Sequence, residues 1–174
     1  MTHPGPRWLD DNEQAIWRAY LATVQLVDEA LDRQLQRDAG MPHAYYMLLA
    51  MLSEAPGRSL RMSELAAVTH SSQSRVSHAV SRLEELGWVH REPSPDDRRG
   101  SVAVLTDTGY EVLAEAAPGH VEAVRQALFD PLTAAQVRQL GRICEAVLEA
   151  DLHRAEPSSV HRRRGTRPTR STQD

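Results

Sequence analysis

Residues 71–88 read SSQSRVSHAVSRLEELGW, and two patterns run through them at once. Val76, Val80 and Leu83 recur at steps of four and three, the spacing that brings side chains onto one face of an α-helix. Ser74, Arg75, Ser77, His78 and Ser81 fall elsewhere on the circumference, and no acidic residue occurs from Ser71 to Arg82. The pattern predicts a helix from about Ser72 to Leu86. Gly87 suits the left-handed position just past a helix end, with Trp88 folding back onto Leu83. One face can therefore dock on a core while the other offers short polar and Arg side chains. Such a helix fits a DNA major groove, because Ser permits close approach while Arg75 and His78 reach guanine or phosphate acceptors. An ordinary solvated helix face would carry more Glu.

The surroundings fit that reading. Upstream, Leu60-Arg61-Met62 reads as a brief strand and Ser63 as the N-cap of a short helix over 64–68, broken by Thr69-His70-Ser71. Downstream, 88–92 and 101–105 are β-prone runs separated by a turn-rich, charged segment at 93–100. They predict a hairpin with a charged tip. Arg98 and Arg99 project from it, where an Arg can enter a minor groove, and Asp97 can orient the Arg99 guanidinium by a bidentate pair. Short helix, tight turn, polar-faced helix and hairpin together make a winged helix-turn-helix.

Longer helices flank this unit. Trp17, Tyr20, Leu21, Val24, Val27, Leu31 and Leu35 mark one face of a helix over 10–38, stopped by Gly40 and Pro42. Residues 43–54 are nearly all apolar and predict a helix buried on most sides. Thr106 reads as the N-cap of a helix that Pro118-Gly119 kinks or breaks, resuming over 120–128. Leu132-Thr133 opens a last helix with a stripe of Val137, Leu140, Ile143, Cys144, Val147 and Leu148. A 45-residue reading lobe leaves the stripes of the first and last helices uncovered, and a second copy of the chain would cover them. The expected fold is mainly α with a small β-wing: N-terminal helices at 8–54, the winged helix-turn-helix at 55–108, C-terminal dimerisation helices at 109–152, and disordered tails at 1–7 and 154–174.

Composition bounds the function. The chain has 174 residues and a formal charge of −4, and all 20 of its Lys+Arg residues are Arg. Residues 154–174 hold six Arg against Glu156 and Asp174, a net of +4, which leaves −8 on residues 1–153. Net charge does not announce a nucleic-acid binder, so any DNA face must come from segregated charge. No stretch approaches the roughly 20 apolar residues of a membrane span, and the N-terminus lacks an apolar signal segment, so a soluble cytoplasmic protein is expected. One cysteine excludes an intrachain disulfide, and Cys144 reads as a buried structural thiol. The spacings of the eight His suit no metal site. With no catalytic triad order or phosphate loop either, no enzyme, metal or cofactor is expected.

Ser63-Glu64-Leu65-Ala66, then 77–89 (SHAVSRLEELGWV), then Asp97-Arg98-Arg99-Gly100 and Leu105-Thr106-Asp107-Thr108-Gly109, in this order and spacing, resemble the MarR family of bacterial regulators over roughly residues 12–152. The resemblance implies a triangular homodimer with interlocked first and last helices, and a winged helix-turn-helix at each corner. It implies a transcriptional regulator, a repressor released by a small ligand, on pseudo-palindromic double-stranded DNA. The expected DNA-binding residues are Ser71, Ser72, Gln73, Ser74, Arg75, Ser77, His78 and Arg82 on the helix, with Asp97, Arg98 and Arg99 on the wing. Where relatives often hold a Thr-Arg pair this chain has Ser77-His78, so base preference does not transfer. The family's ligand pocket would fall near Trp17, Tyr20, His43, Tyr46 and Met47, with Arg18 or Trp8 at its edge, and would suit a small aromatic or anionic molecule. The alternative is a helical scaffold protein whose winged helix has lost DNA binding.

Overall fold

The computed structural model describes residues 5–94 and 100–155, with side-chain environments through residue 150. It divides into two units, residues 1–131 and 132–174. Helix α1 (Asp11–Ala39) opens on a reciprocal cap. The Glu13 amide donates to the Asp10 carboxylate at 2.7 Å, and the Asp10 amide donates to the Glu13 carboxylate at 2.9 Å. The helix ends at Gly40, in the left-handed region at φ +64°. Helix α2 (His43–Glu54) follows, with Tyr46, Leu48, Leu49 and Leu52 buried. A tight turn over Pro56–Arg58, with Gly57 and Arg58 in the left-handed region at φ +63° and +53°, leads into β1 (Ser59–Arg61), α3 (Met62–Val68) and α4 (Gln73–Glu85). Strands β2 (Val89–Pro93) and β3 (Ser101–Leu105) form the wing, and α5 (Asp107–Val124) runs on into a π-helical turn, Arg125–Phe129. Helix α6 (Ala134–Ala155) belongs to the second unit.

The first unit has one core. Leu35, Leu49, Leu52, Leu65, Val80, Leu83 and Ala103 are fully buried and lie in a single cluster with Val76, Val89, Leu105 and Leu113. The face of α4 that supplies Val76, Val80 and Leu83 is the one its spacing predicted. Three strands rather than two make the sheet, in the order β1-β3-β2, all antiparallel. Strand β1 pairs Leu60 with Ala103, which closes the edge of β3 that a lone hairpin would leave open.

One junction explains two sequence motifs together. Helix α4 ends in a Schellman turn: Gly87, at φ +73°, donates to the Glu84 carbonyl at 2.9 Å, and Trp88 donates to the Leu83 carbonyl at 3.0 Å. Trp88 then packs, partly buried, against the core. The Thr106 hydroxyl accepts from the Gly109 amide at 3.0 Å, and the Thr106 amide donates to the Trp88 carbonyl at 3.0 Å. Gly109 lies so close to Trp88 that a Cβ there would sit 2.1 Å from the Trp88 carbonyl oxygen. The run from Leu105 to Gly109 is thus the clasp between the end of α4 and the start of α5.

Several sequence expectations change. Ser63 is not the cap of α3: the helix starts at Met62, with Arg61 in the cap position, and the Glu64 carboxylate accepts from the Arg61 amide at 3.1 Å. Strand β1 ends one residue short of Met62 for the same reason. Pro118 does not break α5, which continues to Val124; the irregular turn comes later, at 125–129. Gly119 next to it lies against Gln34 of α1, so packing keeps the helix on course. Cys144 is exposed rather than buried, as are Ile143, Val147 and Leu148 of the same stripe. Of the expected tails, residues 5–7 have no regular structure, 154–155 belong to α6, and the remainder lies outside the described residues.

Gly109→Ala is expected to destabilise the fold by about 2 kcal/mol or more, since the clashing atom is backbone and cannot swing away. Chemical denaturation at fixed protein concentration checks this; an unchanged midpoint would mean that the clasp is loose.

Candidate nucleic-acid interface

The turn before α4 is tight and fully bonded. Ser71 donates to the Ala66 carbonyl at 2.9 Å and His70 to the Ala67 carbonyl at 3.1 Å, with His70 in the left-handed region at φ +48°. Ser72 then caps α4, its hydroxyl accepting from the Arg75 amide at 3.3 Å. At about 100° per residue, docking through Val76, Val80 and Leu83 turns Ser74, His78, Arg82 and Glu85 to the opposite side. Arg75 points toward α1 and α2, whereas Ser77 and Ser81 point toward the wing strand. Ser71, Ser72, Gln73, Ser74, Arg75, Ser77, His78 and Arg82 are all exposed. The residues singled out from the sequence on α4 are therefore all solvent-exposed, with Ser74, His78 and Arg82 on the side away from the core. Arg82 is engaged there in an ion pair with Glu85, one turn further on. Asp97, Arg98 and Arg99 lie outside the described residues.

One residue that the sequence reading passed over organises this surface. Arg91, on β2, donates to the Glu84 carboxylate at 2.7 Å and to the Ser77 carbonyl at 2.7 Å, and reaches the Ser81 hydroxyl at 3.2 Å. Its own amide donates to Glu84 at 2.9 Å. The alternation along 89–92 marks Arg91 as pointing opposite to its neighbours, but nothing in the sequence says that it meets α4.

The expected ligand residues separate into three places. His43 and Met47 line an open cleft of about 390 Å³, together with Asp28, Asp32, Thr69, Ser71 and Arg75. In it the His43 amide donates to Asp32 at 2.9 Å, and its Nδ1 donates to Asp28 at 3.0 Å. Tyr46 points away from the cleft into the core, its ring 4.1 Å from that of His120. Trp17 and Tyr20 stack on each other at 5.9 Å on the exposed part of α1, away from the cleft. Arg18 and Trp8 are exposed as well.

The model of the MarR family matches residues 39–100, from the end of α1 to the wing. Sco3205, a MarR family transcriptional regulator from Streptomyces coelicolor solved in complex with DNA, is 55% identical; the match covers 90% of this chain and 95% of that one, with a TM-score of 0.80. The chain belongs to the MarR family. AbsC, a second family member from Streptomyces coelicolor, is 39% identical over 83% of this chain and 97% of its own, with a TM-score of 0.77. The transcriptional repressor MprA of Escherichia coli is 30% identical over 109 residues, and the match spans 61% of MprA.

This MarR-family chain also holds a buried histidine that sequence spacing did not flag. His120 of α5 is wedged between Tyr46 and His43, and its Nδ1 has no hydrogen-bond partner. Burial, with the nearby His43, holds its imidazole below the usual value of 6.5. The unfolded chain therefore binds this proton more readily than the folded one. The stability tied to neutral His120 is fully present above about 6.5 and is lost as pH falls from there through the lowered folded value. His120→Phe, which keeps an aromatic ring beside Tyr46, is expected to flatten the loss of stability between pH 7 and pH 5. Denaturation across that range checks it; an equal slope in both proteins would place the proton elsewhere.

Proposed function

We propose that this chain is a sequence-specific double-stranded DNA-binding transcriptional regulator that acts as a homodimer on a pseudo-palindromic site. The observation that carries the reading is the outward face of α4, which is exposed and free of acid from Ser71 to Arg82, while the opposite face is locked in the core. The DNA complex of Sco3205, at 55% identity, supports the same reading. Ser74 and His78 read base edges in the major groove, and Ser71, Ser72, Gln73, Arg75 and Arg82 hold phosphates or flanking bases. Arg82 exchanges Glu85 for DNA. Asp97, Arg98 and Arg99 of the wing are assigned to the minor groove on sequence grounds alone.

Uncovered apolar surface supports dimerisation. On α1, Val27 is half-buried and Leu31 and Leu35 are buried, yet Ile16, Trp17, Tyr20, Leu21 and Val24 on the same helix are exposed. On α6, Ile143, Val147 and Leu148 are exposed as well. Side chains of this size each contribute roughly 1.5–3 kcal/mol when fully buried, and scattered exposure is ordinary where a stripe is not. A twofold partner that covers both faces sets two copies of α4 about one DNA turn apart.

The regulator is further proposed to be a repressor released by a small ligand in the cleft beside α4. Support comes from Arg75, which lines that cleft and sits at the start of the reading helix. The two carboxylates of Asp28 and Asp32 shift the fitting chemistry from the anionic molecule read from the sequence toward a neutral or cationic one. Among the described residues no helix is long and apolar enough to cross a membrane, and a cytoplasmic site of action goes with the proposed role.

Selection of bound sequences from random duplex DNA tests the reading, and an inverted repeat is the expected product. With that duplex, His78→Ala is expected to cost about 1–3 kcal/mol with base preference relaxed at the contacted positions, whereas Arg75→Ala weakens binding about uniformly and lowers the salt slope. No enrichment of any sequence would instead leave the scaffold reading. Leu21→Glu or Val147→Glu is expected to yield monomers by sedimentation and to weaken operator binding by at least about 100-fold; a variant that stays dimeric would exclude that face from the interface.

A further inference from the structure

We propose that Arg91 and Glu84 are positioning residues for base reading, setting how α4 is presented relative to the wing strand. The inference rests on the DNA-binding reading of α4 given above.

The side chains of Arg91 and Glu84 are each about 30% exposed, at 27% and 30%. The two nitrogen ends of the guanidinium fork go to different places: Nη1 to the Glu84 carboxylate, Nη2 to the Ser77 carbonyl, and both to the Ser81 hydroxyl. The bonds therefore span two turns of α4, along the border between its buried and outward faces. Glu84 answers from the helix side, taking the Arg91 amide with one oxygen and the guanidinium with the other. Together these contacts define both the rotation of α4 and its height against β2.

Stability alone does not account for this arrangement. In a largely buried ion pair the cost of desolvation offsets much of the Coulombic gain, and its best-attested use is to fix register. Here the core already holds α4 through Val76, Val80 and Leu83, but aliphatic contacts carry no directional bond to the wing strand. Reading a base demands tighter tolerance than burying a valine. Arg91 supplies it with directional, charge-assisted bonds, which fade steeply with misalignment.

The same contacts divide the serines. The Ser81 hydroxyl donates to the Ser77 carbonyl at 3.0 Å and accepts from Arg91, so it is spent within the protein. Ser74 has no such engagement among the described hydrogen bonds, and His78 stands next to it on the outward side. Base reading then falls to Ser74 and His78, with Ser81 acting only through Arg91.

Glu84→Gln separates positioning from simple charge. Removing an acid beside DNA should tighten every complex if Glu84 merely repels phosphate. If Glu84 holds Arg91, the freed guanidinium turns to phosphate, and α4 loses its register. The experiment measures affinity of the full-length protein for the selected duplex and for a scrambled duplex of equal length, across a salt series. For Glu84→Gln the expected result is at least about a tenfold fall in the ratio of selected to scrambled affinity, with scrambled binding unchanged or tighter. Arg91→Lys keeps the charge but not the fork, and should lower the ratio with the salt slope unchanged.

Equal tightening of both duplexes by Glu84→Gln would overturn the proposal. So would an Arg91→Gln protein that loses affinity equally for both duplexes while its salt slope drops by about one, the mark of a direct phosphate contact. A fall in melting temperature with an unchanged ratio would assign the pair to stability alone. Wild-type protein that cannot tell the two duplexes apart would instead refute the regulator reading itself, before any variant is measured.

Discussion

The rotation of α4 about its own axis is the constraint on which everything else hangs. Val76, Val80 and Leu83 fix it by entering the core, where each is at most 2% exposed. A slip of one residue would turn the helix by about 100°, drawing polar side chains inward and pushing a valine into water. Both costs act in the same direction, so the packing that stabilises the fold also selects which residues face outward. Stability and recognition share one helix, and the core decides between its two faces.

Much of this was legible because it is local. Helical spacing gave α4 and its buried face, Gly87 gave the stop, and Thr106 gave the next start, since each depends on a residue's own conformational preference or its nearest amides. The expectations that changed involve partners distant in sequence. Ser63 had the chemistry of a cap, but pairing of β1 with β3 ends at Arg61 and leaves Met62 to begin the helix. Pro118 had the chemistry of a break, yet α5 lies against α1 and continues. Arg91 carried no signal because its significance comes from Glu84, Ser77 and Ser81, seven to fourteen residues away on another element. On α4 the residues read from the sequence stand exposed, outside the core. Of the expected ligand residues, only His43 and Met47 reached a common cleft, because helical spacing says nothing of how α1 and α2 cross.

Charge gives the molecule its character as a binder. Residues 1–153 carry a net of −8, so affinity cannot come from bulk attraction. It has to come from placement: a face with Arg75 and Arg82 whose first acids are Glu84, turned to Arg91, and Glu85, paired with Arg82. An acidic body whose small recognition face carries no unpaired acid from Ser71 to Glu85 disfavours indiscriminate binding, because most orientations on DNA are repelled. Selectivity then begins before any base is read.

Methylation interference on the selected duplex tests the central claim most directly, since N7 of guanine is reached only from the major groove. The account predicts two clusters of interfering guanines, centred about 10–11 base pairs apart and related by the symmetry of the site. Binding that tolerates N7 methylation throughout, or a single cluster without a symmetry mate, would contradict it.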